Sequence, residues 1–197
     1  RDHEVGYRYA QGASRVRVSG FLNDLKNEIH FYSPTFTNIN LPPTRRKGLE
    51  MEASTKITSE ISLFGNLSAM DAKFRDGALA GVNLKGKSIP LVPRETANVG
   101  VQWAPREGTR FAFAMTHVGK QRYDNDQANT FPTLMPAYET VDLKLSQRMG
   151  DVTLRADLNN LFDRNYYSYG IRNGAGTSFN AYPQPGRTVL VALEFAM

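Results

Sequence analysis

Cysteine is absent from the 197-residue sequence, and long apolar runs are absent as well. Without cysteine the chain can hold no disulfide framework, no thiolate metal site and no cysteine nucleophile. The longest uninterrupted apolar stretches have five residues, as in Val189–Leu193. A transmembrane helix needs about 20. The sequence therefore predicts neither a disulfide-stapled domain nor a helical membrane protein.

A strong charge of one sign is also missing. The chain has 24 Lys and Arg against 19 Asp and Glu, a net charge of +5, and its basic residues form short, scattered clusters such as Lys85/Lys87. Nucleic-acid-binding domains concentrate basic residues on one face or along one helix. We therefore expect no nucleic-acid partner.

Groupings of catalytic or metal-ligating residues are equally scarce. The three histidines, His3, His30 and His117, lie too far apart in the sequence to form a metal-ligand motif. Asp163 follows a predicted strand, where an acidic side chain usually satisfies backbone groups at a bend. The sequence therefore predicts no catalytic residue, no metal site and no resident cofactor.

What the chain has instead is alternation of apolar and polar residues, which runs through most of its length. In Val152–Asn159, four apolar residues alternate with Thr153, Arg155 and further polar residues, so the segment has the two-residue period of a strand. Similar alternation gives about nine strands in all. They are Glu4–Tyr9, Arg15–Asn23, Leu49–Ile57, Ile61–Ala69, Ala97–Trp103, Phe111–Thr116, Val141–Ser146, Val152–Asn159 and Arg187–Met197.

The connections between these strands are alternately short and long. Short ones are predicted near Ala10–Ala13, Thr58–Glu60, Pro105–Gly108 and Met149–Asp151, and long ones near Tyr32–Pro43, Asp76–Pro93, Tyr123–Ala137 and Ser168–Gly186. Tight turns on one rim and long loops on the other are typical of an antiparallel, up-and-down transmembrane β-barrel. Aromatic residues near strand ends favour the same interpretation, since they form interfacial girdles. They are Trp103, Phe162, Tyr166 and Tyr167. Alternation alone leaves a soluble barrel or sandwich open as the alternative.

Several motifs resemble the barrel of TonB-dependent outer-membrane receptors. In the C-terminal third, the family pattern N-L-F-D-x-x-Y, followed by a loop and G-R before the last strand, is matched by seven residues. They are Asn160, Leu161, Phe162, Asp163, Tyr166, Gly186 and Arg187. Glu4–Arg8, Arg45–Ser54 and Ile89–Trp103 resemble earlier strands and a strand entry of the same family.

The resemblance implies that residues 1–197 are the C-terminal portion of a roughly 22-stranded barrel. The family's N-terminal plug domain and its TonB box, which binds TonB, are absent from this stretch. It also implies a place in the bacterial outer membrane among lipid and lipopolysaccharide, with the long loops extracellular and the C-terminus periplasmic. The barrel-assembly machinery would recognise the last strand, Arg187–Met197, with either Phe195 or Met197 as the residue that is read.

The implied function is active uptake of a scarce nutrient, by default a ferric siderophore or a similar small chelate, rather than an enzymatic reaction. Arginine and aromatic side chains in the long loops suit a bulky, anionic chelate. The candidate ligand-binding residues are Arg122, Tyr123, Phe131, Tyr167, Tyr169, Arg172, Phe179 and Tyr182. A passive porin or structural barrel, and a soluble β-barrel that binds an apolar ligand, are the alternatives.

Overall fold

The computed structural model describes residues 1–33 and 35–196, and its regular structure consists of strands. In chain order these are β1 (Asp2–Gln11), β2 (Ser14–Leu25), β3 (Ile29–Tyr32), β4 (Thr37–Asn40), β5 (Thr44–Lys56), β6 (Ile61–Phe74), β7 (Ala78–Leu79), β8 (Val82–Asn83), β9 (Glu95–Arg106), β10 (Thr109–Val118), β11 (Tyr138–Met149), β12 (Val152–Asn159), β13 (Tyr167–Arg172), β14 (Phe179–Pro183) and β15 (Thr188–Phe195). No helix in this part of the chain is long and apolar enough to span a membrane.

Nine of these strands form one large antiparallel sheet. Its order is β1-β2-β5-β6-β9-β10-β11-β12-β15, so each strand pairs with the next large strand along the chain. The longest, β6, has 14 residues, and a tilted strand needs about 9–11 to cross the hydrocarbon core of a bilayer. The predicted all-β, antiparallel, up-and-down architecture is confirmed, and β1 and β15 are the two open edges of the sheet.

The two rims of the sheet differ as predicted. On one rim the turns are tight, and Gly12, Gly108 and Gly150 adopt φ angles of 57°, 77° and 63°, which glycine tolerates without strain. Four long connections lie on the other rim. These connections are predicted to be loops. Three of them instead contain a short hairpin: β3–β4, β7–β8 and β13–β14.

One face of the sheet, here called the apolar face, is hydrophobic across its width. Val16, Ala53, Gly65, Val99 and Met115 stand opposite one another on five adjacent strands. The next row lies on the opposite, polar face: Arg17, Glu52, Asn66, Asn98 and Thr116. This register confirms that the predicted alternation sorts apolar and charged residues onto different faces.

Large hydrophobic side chains on the apolar face are exposed, as Leu49 at 63% and Leu193 at 57% show. Contiguous exposed apolar surface marks a membrane or protein contact. Trp103 stacks on Phe111 at 5.2 Å near the tight-turn rim of this face, where an aromatic girdle is expected. The prediction that Tyr167 also belongs to a girdle is wrong, because Tyr167 packs among the long connections instead.

The buried core lies beneath the long connections. Phe74 at the end of β6 and Leu84 after β8 are both almost fully buried, and they pack with Ala72 and Ile89. The connection between β6 and β9 therefore folds back onto the end of its own strand. This core anchors the loop rim to the sheet.

The last strand is shorter than predicted. β15 ends at Phe195 and pairs with β12, where Leu193 stands opposite Leu154. Met197, the alternative terminal anchor, lies outside the described residues. The assembly signal in this strand stays a prediction.

The two faces should differ in their access to water when the protein is inserted in a membrane. We expect a membrane-impermeant maleimide to label cysteine at Thr153 or Asp142 on the polar face and to spare cysteine at Leu154 or Leu143. The polar maleimide cannot reach a thiol that faces lipid. The charged residues are expected on the other face because a Lys or Arg facing lipid at the bilayer midplane would cost about 2–4 kcal/mol. Lys26→Cys, in a long connection, serves as the positive control. The reverse pattern would indicate a soluble barrel with an apolar interior.

Candidate functional site

A buried carboxylate, Asp126, organises the long connection between β10 and β11. Its side chain is 0% exposed and accepts hydrogen bonds from the backbone N–H groups of Thr130, at 2.9 Å, and Phe131, at 3.0 Å. Two guanidinium groups also bind it: Arg122 Nη1 at 2.9 Å and Arg172 Nη1 at 3.3 Å. The neighbouring Asp124 supplies a second carboxylate, so the formal charges of the two arginines are balanced in this connection.

Asn129 joins this connection to the one between β6 and β9. Its Oδ1 accepts a hydrogen bond from the Ser88 N–H at 2.7 Å, and its Nδ2 donates to the Ser88 carbonyl at 2.9 Å. The backbone N–H of Leu91 also donates to the carbonyl of Arg122, at 3.0 Å. These three bonds hold the two long connections together: two join the Asn129 side chain to the Ser88 backbone, and one joins backbone to backbone.

The β3–β4 hairpin reaches the same region through His30. The side-chain amide nitrogen of Gln127 lies 2.8 Å from His30 Nε2. This contact joins the β3–β4 hairpin to the connection between β10 and β11. Asp124 Oδ1 lies 4.0 Å from the same ring nitrogen.

The β13–β14 hairpin docks on the other side of the β10–β11 connection. The Asp124 N–H donates to the Gly170 carbonyl at 2.8 Å, and the Arg172 N–H donates to the Asp124 carbonyl at 3.0 Å, as in a short parallel bridge. The Tyr169 hydroxyl donates to Asp124 Oδ2 at 2.6 Å. Burial, and then this bond to a carboxylate, raises the pKa of Tyr169 above its usual range.

Gly170 is required by this docking, because a Cβ atom there would stand 2.8 Å from the ring of Tyr123. Tyr123 is buried and packs against Phe179 at 4.5 Å and Phe131 at 5.3 Å between ring centroids. Its hydroxyl is 2.7 Å from that of Tyr167, and burial raises the pKa of the Tyr123 phenol. We call the cluster of Asp126, Asn129, Tyr123, Phe131 and Phe179, with its immediate partners, the loop core.

The structure brings the predicted ligand-binding residues together. Most belong to the loop core, and the remaining pair, Tyr169 and Tyr182, pack edge to face with ring centroids 5.2 Å apart. Arg122 and Arg172 are engaged by Asp126, and Tyr123 and Phe131 are buried. The aromatic surface left open belongs to Phe179 and Tyr182, which are 41% and 57% exposed. Contact of these residues with a ligand stays a prediction.

Asp124, Asp126 and Asn129, which organise the loop core, are not among the residues predicted from the sequence. The available signal is the stretch of acidic and amide residues from Asp124 to Asn129, which lies just after Arg122 and Tyr123. Acids placed beside arginines in a loop can bind them instead of leaving them free for a ligand.

A small cavity of about 150 Å³ lies between the connections, bounded in part by Tyr32, Leu84 and Gln127. Arg172 Nε and Asn125 Oδ1 belong to residues that line it, and both atoms are buried without a hydrogen-bond partner among the described residues. An unpaired donor and an unpaired acceptor are costly when buried.

The sequence matches one protein family and several known proteins. The model of the family described as TonB dependent receptor-like, beta-barrel, matches residues 1–161. The metal-pseudopaline receptor CntO of Pseudomonas aeruginosa is 28% identical over 135 residues, which are 66% of this chain and 18% of the relative. The ferrioxamine receptor of Yersinia enterocolitica is 28% identical over 158 residues, 79% of this chain and 20% of the relative.

Solved structures resemble the fold over nearly the whole chain. The ferric yersiniabactin uptake receptor FyuA from Yersinia pestis has a TM-score of 0.79 at 24% identity, and the match covers 98% of this chain and 29% of that one. The unliganded ferric citrate transporter FecA has a TM-score of 0.76 at 19% identity, with 98% and 30% covered. The chain thus spans less than a third of the length of the proteins that it matches.

Proposed function

Because this chain belongs to the TonB-dependent receptor-like β-barrel family, we propose that the whole protein is an outer-membrane receptor that imports a metal chelate with energy supplied through TonB. Residues 1–197 supply a C-terminal portion of the barrel wall, and their long connections supply part of the extracellular ligand surface. The relatives named as metal-pseudopaline and ferrioxamine receptors support this class of ligand. These relatives are receptors and not enzymes, and we propose no catalytic role.

The observation that carries the proposal is the convergence of three long connections and the β13–β14 hairpin on the loop core. A preorganised surface loses little conformational entropy when a ligand binds. The open rings of Phe179 and Tyr182 suit the flat or apolar parts of a chelate. A ferric siderophore has such parts, so it is the ligand class that we favour.

The position of the two rims supports the proposed orientation. The loop core lies on the rim opposite the tight turns, and in barrels of this kind the tight turns are periplasmic. The apolar face meets lipid and lipopolysaccharide, TonB acts through an N-terminal part of the whole protein, and the barrel-assembly machinery inserts the wall. A passive porin would need the same wall but no preorganised aromatic surface on its loops.

Removing the two open rings tests this function. We expect Phe179→Ala combined with Tyr182→Ala to weaken binding of a ferric siderophore to the full-length receptor by about tenfold, since aromatic contacts contribute roughly 0.5–1.5 kcal/mol each. Binding is measured by fluorescence quenching with ferric yersiniabactin, ferrioxamine and ferric citrate as probes. Phe162→Ala is the matched control, because Phe162 is 73% exposed and lies outside the loop core. Unchanged affinity for every probe that the wild type binds would contradict the proposal.

A further inference from the structure

A shallow groove crosses the apolar face from β1 to β6, close to the rim that carries the long connections. Val5, Gly20, Leu49 and Ala69 stand in one register row across these strands and line it. The two small residues form its floor. A Cβ atom added at Gly20 would meet no other side chain closer than Leu49 Cδ2, at 3.4 Å. The groove is open on its outer side and offers about 1010 Å³, a volume large enough for a hydrocarbon chain.

The next row toward the loop rim is charged. Lys47 is exposed there between Leu22 and Asp71, and Lys47 has no ion-pair partner among the described residues. Asp71 is paired with Lys73, at 3.1 Å. The amine of Lys47 therefore stands in the row above the apolar floor, and the amine of Lys73 reaches Asp71 from the row beyond, opposite Arg45.

The row beyond adds more positive charge. Asp24 Oδ1 accepts from Arg45 at 2.7 Å, and Asp24 Oδ2 lies 3.1 Å from Arg75. The two rows, together with Arg75 just after the end of β6, hold four cations against two carboxylates. Glu95 also borders the groove, but its carboxylate lies beside Gly119, on the far side from Lys47.

This positive surplus is confined to one part of the sheet. Near the loop ends of β10 and β11, the apolar face carries His117 and Glu139, which pair at 2.8 Å. The apolar groove on β1–β6 therefore borders an excess of positive charge. The loop ends of β10 and β11 carry a paired histidine and glutamate instead.

We propose that this groove binds a phosphate-bearing lipid of the membrane, with an acyl chain on Gly20 and Ala69 and the phosphate at Lys47 and Lys73. Amphiphiles of this kind match a surface whose apolar part is continuous with the hydrocarbon core and whose charged part lies at the headgroup level. The inference rests on the outer-membrane placement proposed above. It concerns the wall and leaves the loop core out of the binding site.

The phosphate contact is tested by removing the two lysines. Full-length receptor in detergent is incubated with bis-phosphorylated lipid A, and bound lipid is counted by native mass spectrometry. We expect Lys47→Ala combined with Lys73→Ala to lower the bound fraction at least fivefold. Lys26→Ala combined with Lys85→Ala removes the same charge from exposed connections, and this control should retain the wild-type fraction.

The acyl contact is tested by filling the floor. We expect Gly20→Leu to lower lipid A binding by a similar factor, because the new side chain occupies the groove without changing its charge. Ala53→Leu, on the same face of β5 but farther from the cations, should have no effect. Barrel folding is followed in each variant by heat-dependent gel mobility, so that misfolded protein is excluded from the comparison.

Three outcomes would overturn the inference. They are unchanged lipid A binding in the lysine and Gly20 variants, equal binding of dephosphorylated lipid A, and displacement of lipid A by millimolar inorganic phosphate alone, which would indicate a site for the free anion. Binding of ferric chelates in the same samples keeps the two proposals separate. If the chelate binds but lipid A binds equally well to the wild type and to the lysine and Gly20 variants, the proposed lipid site is wrong and the proposed receptor function stands.

Discussion

Replacing Asp126 with alanine is expected to disperse the loop core while the nine-stranded sheet remains assembled. The substitution leaves the guanidinium groups of Arg122 and Arg172 without their carboxylate and two backbone N–H groups without an acceptor. Removing one partner of a buried ion pair costs about 3–5 kcal/mol. The side chains of Arg122 and Arg172 are 24% and 19% exposed. Because water can partly solvate them, we expect a loss of about 3 kcal/mol, at the lower end of this range.

Hydrogen exchange measures this effect segment by segment. Amides in residues 119–137 and 167–183 should exchange at least tenfold faster in Asp126→Ala, whereas amides of β5 and β6 should be unaffected. Asp76→Ala is the matched control, because the exposed Asp76 carboxylate accepts from the backbone of its neighbour Gly77. Unchanged protection in both loop segments would show that the carboxylate does not organise the loops.

Adding a single methyl group at Gly48 should lower the stability of the assembled sheet. A Cβ atom there would clash with the carbonyl oxygen of Ala69 and would stand 2.9 Å from the ring of Phe21. The carbonyl belongs to the β5–β6 ladder, so it cannot withdraw without breaking backbone hydrogen bonds. Overpacking of this kind costs about 1–3 kcal/mol, and we expect Gly48→Ala to be near the upper limit.

The measurement is the fraction of full-length protein that resists heat and detergent on a gel, together with its unfolding temperature. Gly20→Ala is a close control, because it adds the same methyl group on the neighbouring strand, where the nearest atom is an ordinary 3.4 Å away. Equal amounts of heat-resistant barrel in the two variants would contradict the packing argument for Gly48.

Alternation in the sequence predicts the membrane-facing part of each strand better than its ends. The first strand is predicted as Glu4–Tyr9 and observed as Asp2–Gln11, and β2 continues to Leu25. These extensions are polar at the loop rim: Asp24 pairs with Arg45 on the next strand. The strands stay paired beyond the part that faces hydrocarbon. The alternation of apolar and polar residues, from which strands are predicted, ends at that boundary.

The loop core shows the limit of sequence analysis more clearly. Arginine and aromatic residues in the connections point to residues that the structure brings together, but their partners are distant in the sequence. Asp126 and Arg172 are 46 residues apart, and Tyr123 and Tyr167 are 44 apart. No local period brings such pairs together. Which side chains are buried in the cluster and which stay open therefore depends on how four connections dock.

The strictly sequential strand order makes each hairpin of the large sheet a self-contained unit, because it closes from one continuous stretch of chain. Contacts between sequence neighbours form quickly. Each doubling of a connection adds only about 0.6 kcal/mol of closure entropy. Evolution can therefore lengthen or exchange a single long connection without re-routing any strand of the wall. A family of such proteins can diversify in what it recognises while it inherits one unchanged wall.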